Sequence, residues 1–195
     1  MQDLNPRSLP AALTLLGQRL GDLGVRVDLV AIGGGALLLA GLATRSTKDV
    51  DIVALKEGEQ LTSAEALPES FFEATREVAR EFGFRADWIN TGPKELLRFG
   101  LPTGFLSRCA RKEFGPLWLY VASRFDQIHL KLYAATDQGP KSRHFDDLLS
   151  LSPTTEELSS AGRWCRTHDP SPAFCGILLQ AMRHAGWEGR DEELA

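Results

Sequence analysis

The sequence predicts an α/β fold with a helical region after it, on three observations. Strand-like apolar runs at 27–32, 49–55 and 117–122 alternate with helical patterns as far as Arg124. The glycine triplet Gly33-Gly34-Gly35 turns the first run into a segment rich in Ala and Leu. From Asp126 onward every periodic segment is helical. The expected division is therefore an α/β domain over 1–124 and a helical region over 125–195, packed beside a cleft of the first.

The elements follow in order. Leu13, Leu16, Leu20 and Leu23 recur at helical spacing behind Ser8, a capping residue, and Gly24 ends the helix. Residues 27–32 form a short apolar strand. Beyond the glycines, 36–43 reads as a buried helix whose free N–H groups and positive dipole end lie at the turn. Arg45, Ser46, Thr47 and Lys48 make the loop into the strand 49–55. Residues 56–68 are small and polar and predict a loop. Phe71, Phe72, Thr75, Val78, Ala79 and Phe82 share a helical face that Gly83 stops. A strand is expected within 84–90, whereas 91–115 mixes glycine, proline, apolar and basic residues without a period. Pro116 and Ser123 bound the strand 117–122.

In the second region, Asp126 caps a helix over 128–136, and a polar loop leads to a helix from Phe145 to Leu151. Thr154 and Glu157 have capping-box spacing at the start of a helix running to His168. Asp169-Pro170-Ser171-Pro172 breaks the chain before a last helix over 173–185, and the charged tail from Gly189 is expected to fray.

The chemistry concentrates at Asp49-Val50-Asp51. In a strand, residues two apart share a face, so both carboxylates point the same way, while Val50 and Ile52 face the core. Neighbouring carboxylates repel unless a cation sits between them, and Mg²⁺ takes oxygen ligands. Glycines upstream let a backbone come close to a phosphate. Together these point to a metal–phosphate site and to nucleotide chemistry.

The bulk numbers narrow the class. The chain has 195 residues, 43% hydrophobic and 25% charged, which suits a globular fold with a real core. A net charge of -4 gives no global signal for nucleic acid. Cys109, Cys165 and Cys175 are an odd number with no Cys-x-x-Cys, so a reducing, cytoplasmic setting is expected. The longest apolar run, 29–43, is too short to span a bilayer, and the N-terminus lacks a signal-peptide layout, so no membrane partner is expected.

Strand, Gly34-Gly35, helix and Asp49-Val50-Asp51 on the next strand resemble the nucleotidyltransferase superfamily typified by DNA polymerase beta. Its signature is a Gly-Gly or Gly-Ser pair, a short spacer and Asp-hydrophobic-Asp. The segment Arg45-Ser46-Thr47-Lys48-Asp49-Val50-Asp51-Ile52 resembles the bacterial branch of AbiEii-type toxins and related proteins of unknown function. Asp126-Gln127-Ile128-His129-Leu130-Lys131 resembles the helix that supplies a lysine in that branch. Arg143-His144-Phe145-Asp146-Asp147 resembles its next element, with His144 where aspartate is common.

The resemblance implies a nucleotidyltransferase fold, a small mixed sheet flanked by helices with a helical C-terminal region. It implies Mg²⁺ or Mn²⁺ held by Asp49 and Asp51 and a nucleoside triphosphate substrate. Gly34, Gly35, Arg45, Ser46 and Thr47 would meet the nucleotide, and Lys131 and Asp147 would join the catalytic set. The acceptor would be a hydroxyl of RNA or protein, and an antitoxin would be the partner in a toxin–antitoxin pair.

One departure stands out. Many members carry a third carboxylate on a later strand, and Leu117-Trp118-Leu119-Tyr120-Val121 has none; Asp87 and Asp147 are substitutes, although Asp87 equally suits a turn. A non-catalytic nucleotide-binding or protein-interaction module of the same fold is therefore the alternative. An aminoglycoside-type modifier would want an acidic acceptor pocket, which the sequence does not display. Cys165, His168, Cys175 and His184 match no familiar zinc spacing, and Ser123 with His129 lacks a nucleophile elbow. Arg98, Arg108, Arg111 and Lys112 suit a solvated basic face, and Trp88, Trp118 and Trp164 suit a core.

Overall fold

The computed structural model describes residues 1–194, which fall into two compact units that meet between Ser123 and Arg124 in the sequence. In the first, helix α1 (Ser8–Asp22) leads to strand β1 (Val27–Ile32), helix α2 (Gly33–Leu39) and strand β2 (Val50–Glu57). Strand β3 (Gln60–Thr62), a 3₁₀ turn (Ala64–Ala66), helix α3 (Glu69–Phe82) and strand β4 (Ile89–Asn90) follow. A second 3₁₀ turn (Gly92–Lys94), short helices α4 (Glu95–Phe99) and α5 (Phe105–Arg108), and strands β5 (Ala110–Phe114) and β6 (Leu117–Val121) complete it.

The sheet is mixed, in the order β3-β2-β1-β6-β5. β1 runs antiparallel to β2 and parallel to β6. β4 pairs in parallel with the start of β2, and β3 pairs antiparallel with its end. Val27, Leu29, Ala31, Val50, Ile52, Leu117, Leu119 and Val121 face one apolar core with Leu9, Leu13, Leu16 and Leu20 of α1 and Phe71 and Val78 of α3. Each Val, Leu, Ile or Phe side chain among them contributes about 1.5–3 kcal/mol by leaving water. A bulge opposite Val30 and Ala31 leaves Val53 as the extra residue of β2. Ile52 and Leu55, three positions apart, can therefore both turn to the core. Val50 and Ile52 are fully buried, as the alternation predicts.

Several sequence expectations need adjustment. The turn into α1 is held by Asn5: its Oδ1 accepts from the N–H of Arg7 and Ser8 at 2.9 Å each, and Ser8 Oγ accepts from Asn5 N at 3.0 Å. The helix ends at Asp22, so Leu23 is exposed. α2 begins at Gly33 and ends at Leu39, earlier at both ends than the apolar run suggests. The stretch 56–68 is not a loop throughout. β2 continues to Glu57, turns through Gly58 (φ 62°) and returns as β3. The strand expected over 84–90 shrinks to two residues.

The second unit contains α6 (Arg124–Gln138), α7 (Arg143–Ser150), α8 (Thr155–His168) and α9 (Pro172–His184), then a 3₁₀ turn (Asp191–Leu194). α6 packs against the other three helices. It starts at Arg124, so Asp126 is a buried first-turn acid and not a cap. Arg124 donates to the carbonyls of Leu151 and Ser152 and to the Glu157 carboxylate, tying α6 to the start of α8. The Thr154–Glu157 capping box forms. The tail does not fray over the described residues: Trp187 and Leu194 are buried, and Arg183 pairs with Asp191 at 2.8 Å.

Candidate functional site

Gly33 ends β1 with φ 74°, a left-handed conformation that glycine adopts without strain, and so starts α2 at a sharp angle. Space forbids a side chain there as well, because a Cβ on Gly33 would collide with the Asp51 carboxylate. A Cβ on Gly34 would lie 2.5 Å from Thr47 Oγ1, and one on Gly35 would lie 2.8 Å from the Asp49 carbonyl oxygen. All three glycines thus bring the first turn of α2 onto the segment 47–51. Spacing pointed to Gly34 and Gly35. The turn itself belongs to Gly33, and the close approach is first of all to the Asp-x-Asp strand.

Asp49 lies just ahead of β2 and Asp51 within it, and both are half-buried. Across the β1–β2 pairing Asp51 sits opposite Ile32, the residue before the turn. On its other side it pairs with Asn90 of β4. Asn90 donates its Nδ2–H to Asp51 Oδ1 at 3.2 Å, and its own Oδ1 accepts from the N–H of Gly92 at 2.8 Å. The second bond fixes which end of the amide faces the carboxylate. Asn90 therefore orients Asp51 by donation and does not present an oxygen to a cation. No local pattern in the sequence marks it; only the pairing of β4 with β2 could have found it.

The loop residues meet the site differently. Thr47 is buried, with its hydroxyl against Gly34. Its main chain pairs with Leu4 in both directions, Leu4 N to Thr47 O at 2.7 Å and Thr47 N to Leu4 O at 2.9 Å. That packing explains why Thr47 is enclosed where a phosphate-facing side chain was expected. Ser46 is exposed, and Arg45 is half-buried with Nη1 3.4 Å from the Ser46 carbonyl.

Asp87, one substitute for a third carboxylate, is held by Arg85 through Nε–Oδ1 at 2.8 Å and Nη2–Oδ2 at 2.5 Å. The hydrogen bond from Arg85 keeps its carboxyl below the usual range. Among the described residues, no three or more His, Cys, Asp or Glu side chains gather where they could hold a metal ion. The hard oxygen donors of Asp49 and Asp51 still suit Mg²⁺, which is commonly held by one or two carboxylates plus substrate phosphates.

Lys131 and Asp147 come together in the second unit. Lys131 Nζ lies 2.7 Å from Asp147 Oδ2, with both side chains almost wholly buried. The two residues that the resemblance assigns to a catalytic set thus form a buried ion pair joining α6 and α7. The tryptophans also divide: Trp88 is core, whereas Trp118 is half-buried beneath the guanidinium groups of Arg26 and Arg111 at 4.0 and 4.3 Å.

A mixed sheet in which a glycine turn presses the start of a helix onto an Asp-x-Asp strand defines a nucleotidyltransferase fold. The chain belongs to the family described as nucleotidyltransferase of unknown function (DUF6036), whose model matches residues 12–142. No curated protein and no solved structure gives a match. No helix among the described residues is long and apolar enough to cross a membrane.

Proposed function

We propose that the first unit binds a nucleoside triphosphate with Mg²⁺ or Mn²⁺ and transfers a nucleotidyl group to an acceptor hydroxyl of RNA or protein. The observation that carries this is the contact of the Gly33 turn with Asp51, which puts the start of α2 beside the Asp-x-Asp strand of the sheet. Asp49 and Asp51 would hold the cation, and Asn90 would keep the Asp51 carboxylate turned toward it. When bound, the cation supplies charge neutralisation for the triphosphate and the leaving pyrophosphate. Gly34 and Gly35 would serve the nucleotide indirectly, by letting the first turn of α2 lie against the Asp-x-Asp strand. Arg45 and Ser46 would meet the nucleotide from the loop, and Thr47 would keep that loop in place.

The structural observations behind this chemistry all lie in the first unit. Lys131 and Asp147 enter it through the resemblance, and their ion pair also gives them a structural role within the helical unit. The toxin role and an antitoxin partner likewise rest on the resemblance, carried by residues 45–52.

A second reading has a specific observation in its favour. Asp51 takes a hydrogen bond from the Asn90 amide, and among the described residues no third carboxylate gathers with Asp49 and Asp51 to hold a metal ion. A module with that arrangement would bind nucleotide without transferring it. One experiment separates the two: incubation of the full chain with each NTP labelled at its α-phosphate, Mg²⁺ and total cell RNA or lysate. Label appearing on RNA or protein supports transfer. Nucleotide binding without label on any acceptor supports the binding module.

A further inference from the structure

We propose that Arg85 binds the phosphates of the nucleotide, with Asp87 as the residue that positions it. This inference rests on the nucleotide-binding reading of the Asp49–Asp51 site.

The loop carrying Arg85 is fixed to the site's own strand. Val50 N, between the two aspartates, donates to Trp88 O at 2.7 Å. Trp88 is fully buried and donates Nε1–H to Thr75 O at 3.0 Å, and its N–H donates to Arg85 O at 3.2 Å. Two residues further on, Asn90 holds Asp51. One short segment, 85–90, therefore carries both the orienting amide of Asp51 and this arginine.

The side chain is set up for an anion. Asp87 engages two guanidinium donors in a fork, so the group has a defined direction before any ligand arrives. Its other N–H groups remain for a further acceptor. Arg85 is half-exposed, so a solute can reach it. Its proton is held more tightly than usual, first by the hydrogen bond to Asp87, then by that carboxylate's charge, with a further contribution from Asp49. The chain at Arg85 is tied to the Asp-x-Asp strand through two successive main-chain hydrogen bonds, Trp88 N to Arg85 O and Val50 N to Trp88 O.

Charge balance supplies the ligand class. A triphosphate carries more negative charge than one divalent cation cancels, and Asp49 and Asp51 add to the excess. Such a site gains from a protein cation aimed at the phosphates, and arginine matches phosphate oxygens better than lysine does. Asp87, weighed from sequence as a third metal ligand, instead directs the arginine.

The test is titration calorimetry of the full chain with Mg²⁺ and ATP, ADP and AMP in turn. The expected wild-type order is ATP tightest and AMP weakest. Arg85→Ala is expected to weaken ATP about tenfold or more and to flatten that order, with inorganic tripolyphosphate no longer competing. Arg85→Lys should recover part of the loss, and Asp87→Asn should give an intermediate one. Melting temperature should barely change, because an exposed ion pair contributes little to folding. ATP binding by Arg85→Ala equal to wild type, alongside its loss in Asp51→Asn, would overturn the role of Arg85 and leave the nucleotide site standing. A wild-type chain that binds no nucleoside triphosphate would overturn both.

Discussion

Asn90 donates a hydrogen bond to Asp51 from a strand of two residues, and a second bond from Gly92 fixes the direction of its amide. An Asn90→Asp variant keeps the bond from Gly92 and replaces the donor by a third carboxylate. It should lose stability without divalent cations, since like charges then face each other. Added Mg²⁺ should stabilise it more than it stabilises the wild type. Thermal melts with EDTA and with Mg²⁺ check this; equal Mg²⁺ responses in both proteins would show that Asn90 does not face a cation site.

The glycine turn separates backbone cost from contact cost. Gly33 and Gly41 have nearly the same left-handed φ, 74° and 71°, but only Gly33 has a neighbour where a Cβ would go. Gly41→Ala should cost about 1–2 kcal/mol, the usual left-handed penalty. Gly33→Ala should add about 1–3 kcal/mol for displacing the Asp51 carboxylate. Urea unfolding measures both. Equal losses would mean that Asp51 moves aside freely.

How much could be read from the chain depended on range. Asp49 and Asp51 were legible because strand alternation is a local rule, and the buried faces of Val50 and Ile52 follow from it. The capping box at Thr154 was legible for the same reason. Asn90 was not, because its role comes from pairing with a residue far back in the chain, through a strand too short to carry a pattern. The enclosure of Thr47 depends on the N-terminal segment crossing it at Leu4, a contact that neither segment signals alone. Lys131 and Asp147 were singled out by resemblance, but spacing says nothing about burial.

That burial changes what removing Lys131 should do. Lys131→Ala removes the ion pair from the buried Asp147 carboxylate, and the expected loss is about 3–5 kcal/mol. The double variant Lys131→Met, Asp147→Leu should regain much of it, since a pair of apolar residues does not strand a charge. Chemical denaturation of the three proteins tests this. A loss under about 0.5 kcal/mol for Lys131→Ala would show that the pair is not enclosed in solution.

Glu157 sets an acid limit on the helical unit. Burial pushes its carboxyl upward, but the hydrogen bond from Arg124, the bond from the Thr154 N–H and the Arg124 charge outweigh that, leaving it below the ordinary glutamate value of 4.5. A depressed folded-state value means that this stabilisation is complete above the unfolded-state pKa and fades as pH falls through the folded one. Melting temperature should therefore drop as pH falls below about 4.5, and Glu157→Gln should lower stability at neutral pH while flattening that limb. An unchanged acid limb in the variant would remove Glu157 from the explanation.

Binding of nucleoside triphosphate as a function of Mg²⁺ bears on the whole site at once. Calorimetric titration of wild type and Asp51→Asn, each verified as folded by circular dichroism, gives the decisive comparison. The expected result is NTP binding to the wild type that requires Mg²⁺ and is lost in Asp51→Asn. Undiminished Mg²⁺-dependent binding by a folded Asp51→Asn variant would contradict the assignment of the Asp49–Asp51 pair as the place where metal and nucleotide meet.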